Sequence, residues 1–177
     1  IPGPKDFYSH CGPDWAWAQN TPFRRYKSTT YEGGIATPMV ARWPKGIEAG
    51  QITDQVGHII DFLPTLLEIG DGSYPSKYQG HSILPSEGMS LLSVFKSPSK
   101  TITRKAPLYW FFSGNRAIRD GNWKLVWDKK IRKWELYNMA DDRTEMHDLA
   151  EQKPTLVGQL RSQWEKWAQK TDVKYKD

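Results

Sequence analysis

"APLYWFFSGNRAIRDGNWKLVWDKKIRKWELYNM", residues 106–139, holds four short runs that each read as a strand: "APLYWFF", "NRAIRD", "NWKLVWD" and "KWELYNM". The separators "SGN", "DGN" and "DKKIRK" are hairpin-like, and Asp120-Gly121 is a strong turn signal. The segment therefore predicts a four-stranded antiparallel meander. Downstream, "KPTLVGQLRSQWEKWAQK" opens a helix at Pro154, a favoured first-turn position. Leu156, Leu160, Trp164 and Trp167 fall on one face of it, so this helix should cover the sheet.

Upstream, residues 1–34 are crowded with Pro, Gly, Asn and aromatic residues without helical or strand period. Irregular backbone is expected there, held down by Trp15, Trp17 and Phe23. "IATPMVARWP" reads as a buried strand around Met39 to Arg42, closed by Pro44. "ITDQVGHIIDFLPTLLEIGDG" reads as a helix with Ile59, Leu63, Leu66 and Leu67 on one apolar face, Asp61 as N-cap, Pro64 in the first turn and Gly70 as the stop. Strand followed by helix implies an α/β layer. Residues 71–106 form a connector rich in Ser, Pro, Gly and Lys, with the best domain boundary in "KSPSKTITRK" at its end. No internal repeat is visible.

With 177 residues, 38% hydrophobic and 13% aromatic, the chain can bury a core in one domain or two unequal ones. Its net charge of +5 sets 25 basic against 20 acidic residues, and no basic run exceeds two, so nucleic acid is not an expected partner. Cys11 is the only cysteine, which excludes an internal disulfide and a multi-cysteine zinc site. No apolar stretch reaches the roughly 20 residues a membrane helix needs. The chain opens on Ile1 without a signal-like segment, the reading being a processed chain or a fragment.

Within "YKSTTYEGGIATP", residues 26–38, Lys27 precedes a double-glycine turn. A sulfuryl or phosphoryl ester site needs fixed positive charge against the non-bridging oxygens, which Lys27 could supply; a solvated loop lysine is the simpler reading from spacing alone. Gly33 and Gly34 serve backbone geometry, either a positive φ or close approach of another segment. Glu32 reads as a hydrogen-bonding partner within the turn. His10, His58, His81 and His147 show no metal-ligand spacing, and His58 with Asp61 reads as a cap and a packed imidazole. Asp141, Asp142, Glu145 and Asp148 could attract calcium, yet lack the twelve-residue loop pattern, so a solvated turn is expected. No G-x-S-x-G motif occurs, and Cys11 has no evident base. Most of the nine tryptophans are expected in the core, among them Trp123, Trp127 and Trp134.

"NTPFRRYKSTTYEGGIATPMVARWPKGI", "ITDQVGHIIDFLPTLLEIG", "GNRAIRDGNWKLV" and "WELYNMADDRTEMHDLA" follow one another in an order that resembles the C-terminal portion of the type I sulfatases, the arylsulfatase-like branch of the alkaline phosphatase superfamily. The resemblance covers nearly the whole chain, and "K-x-T-T-Y-E-G-G" is its specific element. It implies an α/β fold: the end of the large sulfatase α/β domain over 1–98, followed over 99–177 by a small C-terminal subdomain with a four-stranded antiparallel sheet and a packed C-terminal helix. Lys27 matches the lysine that contacts the sulfate group, while Glu32, Gly33 and Gly34 match the loop shaping that edge of the pocket. Ala36 stands where some members carry Arg, and Phe112-Ser113-Gly114-Asn115 where bacterial relatives often show H-E-G-N.

The implied reaction is hydrolysis of an aryl sulfate or sulfated carbohydrate ester by an arylsulfatase-type enzyme, with a sulfate ester, a sulfated glycan among the candidates, as substrate. The resemblance implies calcium and a formylglycine nucleophile, both supplied upstream of Ile1, since the chain has no C/S-x-P-x-R motif and lacks the family's metal aspartates. It also implies an extracytoplasmic location: periplasmic, secreted or lysosomal. The alternatives are a phosphodiester or phosphonate hydrolase of the same superfamily and a non-catalytic module binding sulfated glycans.

Overall fold

The computed structural model describes residues 12–175, which leaves Ile1 to Cys11, His10 included, outside the described residues. The chain forms two compact units: one joins the residues up to Pro38 with those from Ala106 onward, and the other is Met39–Lys105. This division differs from 1–98 and 99–177, because the first segment packs with the C-terminal sheet: Thr30, Tyr31 and Glu32 are all buried there.

In the first unit, helix α1 (Gly12–Asn20) replaces the irregular backbone expected before residue 34. It buries none of its residues, and Trp15 is 68% exposed, so no apolar face marked it in the sequence. A short helix, α2 (Glu32–Ile35), carries the double glycine. In the second unit, a 3-10 turn (Ile59–Asp61) leads into α3 (Phe62–Ile69), with Pro64 in the first turn and Gly70 at the C-cap. Within the expected connector lie a two-residue-per-strand hairpin, β1 (Lys77–Tyr78) with β2 (His81–Ser82), and α4 (Leu92–Lys96). Residues 39–42 form no strand: Met39 is 50% and Val40 94% exposed. A strand exists only by pairing, and no described segment pairs with them.

The meander forms in the expected order, β3 (Leu108–Phe112), β4 (Asn115–Asp120), β5 (Trp123–Asp128) and β6 (Lys133–Asn138), each antiparallel to its neighbour. Ser113 (φ 50°) and Gly114 (φ 88°) make the first hairpin turn, both left-handed as a tight two-residue turn demands. Alternation sends the side chains to two faces. On one face Ile118, Leu125 and Leu136 pack under α5 (Pro154–Lys170), whose Leu160, Trp164 and Ala168 are buried. Arg116 is fully buried on this face, its guanidinium 4.2 Å from the ring centre of Tyr175 and 5.1 Å from that of Trp127. On the other face Ala117, Val126, Tyr137 and Met139 pack with Tyr31 and half-buried Trp110, and here the loop that carries Lys27 lies.

Candidate substrate-binding site

The loop carrying Lys27 is closed on itself by its glycines. Gly33 donates its N–H to the Arg24 carbonyl at 2.9 Å, and Gly34 to that of Tyr31 at 2.8 Å. A Cβ at Gly33 would overlap the carbonyl oxygens of Arg24 and Arg25, and one at Gly34 that of Thr29. Close approach of backbone is therefore what excludes a side chain at these two positions; neither has a positive φ.

Buried polar side chains fasten the loop to the sheet. Glu32 accepts from the Lys124 ammonium at 2.7 Å, and its own N–H donates to the Glu145 carboxylate at 2.7 Å. Lys124 also pairs with Glu145 at 2.8 Å, and both side chains are fully buried. Burial pushes the Glu145 carboxyl up, against the pull of Lys124. Glu32 is thus a scaffold residue, although its partners lie on the sheet side and not within the turn. Beside this triad, the Arg24 guanidinium donates to the Tyr137 hydroxyl at 2.5 Å and to the Glu145 carbonyl at 3.2 Å, and lies 4.4 Å from the Tyr31 ring centre. Tyr31 donates its hydroxyl to Glu135. Burial and then the Glu135 carboxylate hold the Tyr31 phenol well above its ordinary range.

With its base held down, the loop presents Lys27 outward, exposed, in a cleft of about 310 Å³. Ser28, Thr29 and Gly34 line the cleft on the loop side, and Trp110 and Phe112 on the β3 side. Asn115 ties the two sides together: its amide donates to the Ser28 carbonyl at 2.9 Å and accepts from the Lys129 N–H at 3.1 Å. Of the three hydroxyl-bearing residues there, Thr29 and Thr30 donate to the Tyr26 and Arg116 carbonyls, which leaves one cation, the Ser28 hydroxyl and an aromatic wall to hold an anion whose organic part lies against the wall.

The remaining candidates do structural work. His58 caps the 3-10 turn through its imidazole, and the Asp61 carboxylate accepts from the His58 N–H at 2.8 Å. Asp61 occupies the N-cap position of α3, but its side chain serves elsewhere: it receives both Arg104 amino groups, at 3.1 and 2.5 Å, and the Met89 N–H at 2.9 Å. Burial alone would raise the Asp61 pKa, yet the Arg104 hydrogen bonds and the two backbone donors win and hold it below the carboxylate range. His81 is exposed, and His147 lies at the surface 3.6 Å from Asp142. The acidic residues at 141–148 do not converge. Asp142 accepts from the N–H groups of Met146 and His147, Asp148 accepts from Leu136 and Ala150 and pairs with Lys133, and Glu145 turns inward to Lys124. Among the described residues no three His, Cys, Asp or Glu side chains are placed to hold a metal ion. Nor is any described helix long and apolar enough to cross a membrane.

Lys27 and the altered hairpin at Phe112-Ser113-Gly114-Asn115 were legible in the sequence. Trp110 and Lys124 were not, nor was the part that Asn115 and Glu145 play in holding the loop, since all four reach it across intervals of roughly 80 to 120 residues; a polar residue at an inward position, Lys124 between Trp123 and Leu125, was the available signal.

Residues 24–170 match the family model described as N-sulphoglucosamine sulphohydrolase, C-terminal. An uncharacterized sulfatase of Schizosaccharomyces pombe is 32% identical over 167 residues, covering 92% of this chain and 30% of that protein. An N-acetylglucosamine-6-O-sulfatase of Bacteroides thetaiotaomicron is 30% identical over 134 residues, covering 70% of this chain and 23% of its own length. The crystal structure of Ps i-CgsB superposes with a TM-score of 0.69 at 25% identity, over 84% of this chain and 32% of that one; the same protein has been solved in complex with k-i-k-neocarrahexaose. The chain thus spans about a third or less of the proteins it matches.

Proposed function

Because the chain belongs to the sulfatase family and corresponds to its C-terminal portion, we propose that it forms one wall of a sulfate-ester site in which Lys27 binds the sulfate group. The observation that carries this reading is the placement of Lys27: an exposed ammonium at the mouth of a cleft, on a loop whose base is anchored by buried ion pairs. An ammonium is a compact point charge that meets a tetrahedral anion without needing bidentate geometry. Charge rests on the non-bridging oxygens in both ground and transition state, so a preorganised cation there assists binding and turnover. Ser28, exposed beside it in the cleft, offers a further hydroxyl donor, whereas the Thr29 hydroxyl donates to the Tyr26 carbonyl at 2.9 Å and braces the loop.

The substrate class of this reading is a sulfate ester of a carbohydrate, in keeping with the relatives named for sulfated sugars. Arylsulfatase-type specificity is the finer alternative within the same chemistry. A phosphate-ester hydrolase and a non-catalytic glycan-binding module are not favoured, since the matched relatives are named sulfatases. Calcium and formylglycine are what the family brings to this reaction; no metal-ligand set is assembled among the described residues, and the part this reading gives to Lys27 is to hold and orient the ester. An extracytoplasmic site of action accords with sulfated glycans as substrates.

In the full-length protein, Lys27→Ala should lower kcat/KM for sulfate esters by about 10²-fold or more, the loss typical of one electrostatic donor. Circular dichroism should not change, because the side chain is exposed. An unaltered rate sinks the assignment.

A further inference from the structure

We propose that Phe112, with Trp110 behind it, is the wall that selects the leaving alcohol, taking the apolar face of a pyranose ring while Lys27 holds the sulfate; this rests on the Lys27 reading above. Trp110 and Phe112 sit two residues apart on β3 and therefore point to the same sheet face, whereas Tyr109 and Phe111 turn to the α5 side, Tyr109 stacking on Trp167. Phe112 is 54% exposed, and it lines the same cleft as Lys27. An aromatic ring left half in water beside a bound anion's site is the arrangement that recognises a ring with one polar rim and one apolar face.

The two sides of the cleft are held in register. Phe112 pairs with Asn115 across the hairpin, and Asn115 is the residue whose amide grips the Ser28 carbonyl next to Lys27. At the turn, Ser113 takes a φ of 50° and its hydroxyl accepts from Lys129 at 3.0 Å, which fixes the hairpin tip that carries the wall. Asn115 is accordingly a positioning residue for both halves. No other aromatic side chain of the described residues lines this cleft with Lys27 except Phe111, whose ring meets Trp164 on the opposite face.

The test compares Phe112→Ala, Phe112→Tyr and Lys27→Ala in the full-length protein on glucosamine 6-sulfate, galactosamine 6-sulfate, 4-nitrophenyl sulfate and butyl sulfate, with inorganic sulfate as competitive inhibitor. Phe112→Ala should raise KM for the sugar sulfates about ten-fold or more, as loss of an apolar ring contact does, raise it less for butyl sulfate, whose flexible chain covers less of the ring, and leave the inhibition by inorganic sulfate, which has no organic part, within about two-fold. Phe112→Tyr should restore the sugar KM, because a tyrosine keeps the face. Where a sugar is not turned over, its calorimetric Kd takes the place of KM. Unchanged sugar affinity in Phe112→Ala, or an equal loss on butyl sulfate, overturns the wall. Loss confined to 4-nitrophenyl sulfate overturns the sugar in favour of an arene. Lys27→Ala reports separately: full activity there overturns the sulfate-binding reading itself, while an inactive Lys27→Ala beside an unaffected Phe112→Ala removes only the wall.

Discussion

Lys124→Met tests whether the buried ion triad holds the loop. The ammonium lies 2.7 Å from Glu32 and 2.8 Å from Glu145, with no exposure of its own, and methionine keeps an unbranched chain one atom shorter without the charge. Removal leaves two carboxylates facing each other inside the protein, and stripping one partner from a buried pair costs about 3–5 kcal/mol. Part of this is recovered when Glu145, already pushed up by burial, takes a proton. A net loss of about 3 kcal/mol at neutral pH is the expectation, which lowers Tm by about 10 °C or more for a unit of this size. The pH dependence has a definite sign. A carboxyl whose folded pKa is raised contributes stability that is present at low pH and lost as pH rises through the folded value, so the deficit of the variant should shrink from neutral pH toward the ordinary carboxylate range. Urea unfolding followed by tryptophan fluorescence reads both effects, since Trp123 and Trp127 flank Lys124 on β5. Adding Glu145→Gln should return part of the loss. A deficit below about 1 kcal/mol, or one that ignores pH between about 5 and 8, would refute the triad as the anchor.

Three further expectations follow from the packing and from the Asp61 ion pair. Gly33→Ala places a Cβ against the carbonyl oxygens of Arg24 and Arg25, which no rotamer change relieves, and should destabilise by about 1–3 kcal/mol; Gly158→Ala on the exposed side of α5 meets nothing and should stabilise by about 0.5–1 kcal/mol, both read by thermal melting. Arg104→Gln removes the bidentate partner of fully buried Asp61. Asp61 has a lowered folded pKa, so its contribution is present above the ordinary aspartate range and lost as pH falls through the folded value; hydrogen exchange of the segment around residues 58–66 should show this acid loss in the native protein and a flat, weaker protection in the variant.

The C-terminal half of the chain was legible because its signals are local. Turn residues at 113–114 and 121–122 cut the segment into strands, the second announced by Asp120-Gly121, and the spacing of Leu156, Leu160, Trp164 and Trp167 gave a helix face that the sheet does bury. The N-terminal segment was not legible for the converse reason: α1 buries nothing, so no pattern in its sequence reports its helical period. At the site, "K-x-T-T-Y-E-G-G" marked Lys27 and the glycines, but the partners that shape their surroundings are long-range. Which lysine meets Glu32, or which asparagine holds Ser28, depends on strand register and on the face each strand turns to the loop, and neither is written in the spacing of any one segment.

Helix α3 shows what periodicity does and does not establish. The i, i+4, i+7, i+8 spacing of Ile59, Leu63, Leu66 and Leu67 correctly foretold helical backbone, and Gly70 correctly ended it. Yet Ile59 is 73% exposed, Leu63 48% and Leu66 65%, while the buried member of the helix is the polar Thr65. Thr65 is inside because its hydroxyl bridges backbone, donating to the Asp61 carbonyl at 2.6 Å and accepting from the Leu91 N–H at 2.9 Å. The face that Met39–Lys105 packs inward is thus chosen by hydrogen bonding around Asp61 and Thr65. The apolar stripe is a separate statement about the helix: it fixes the period of the backbone, and within the described residues it is not what the unit folds around.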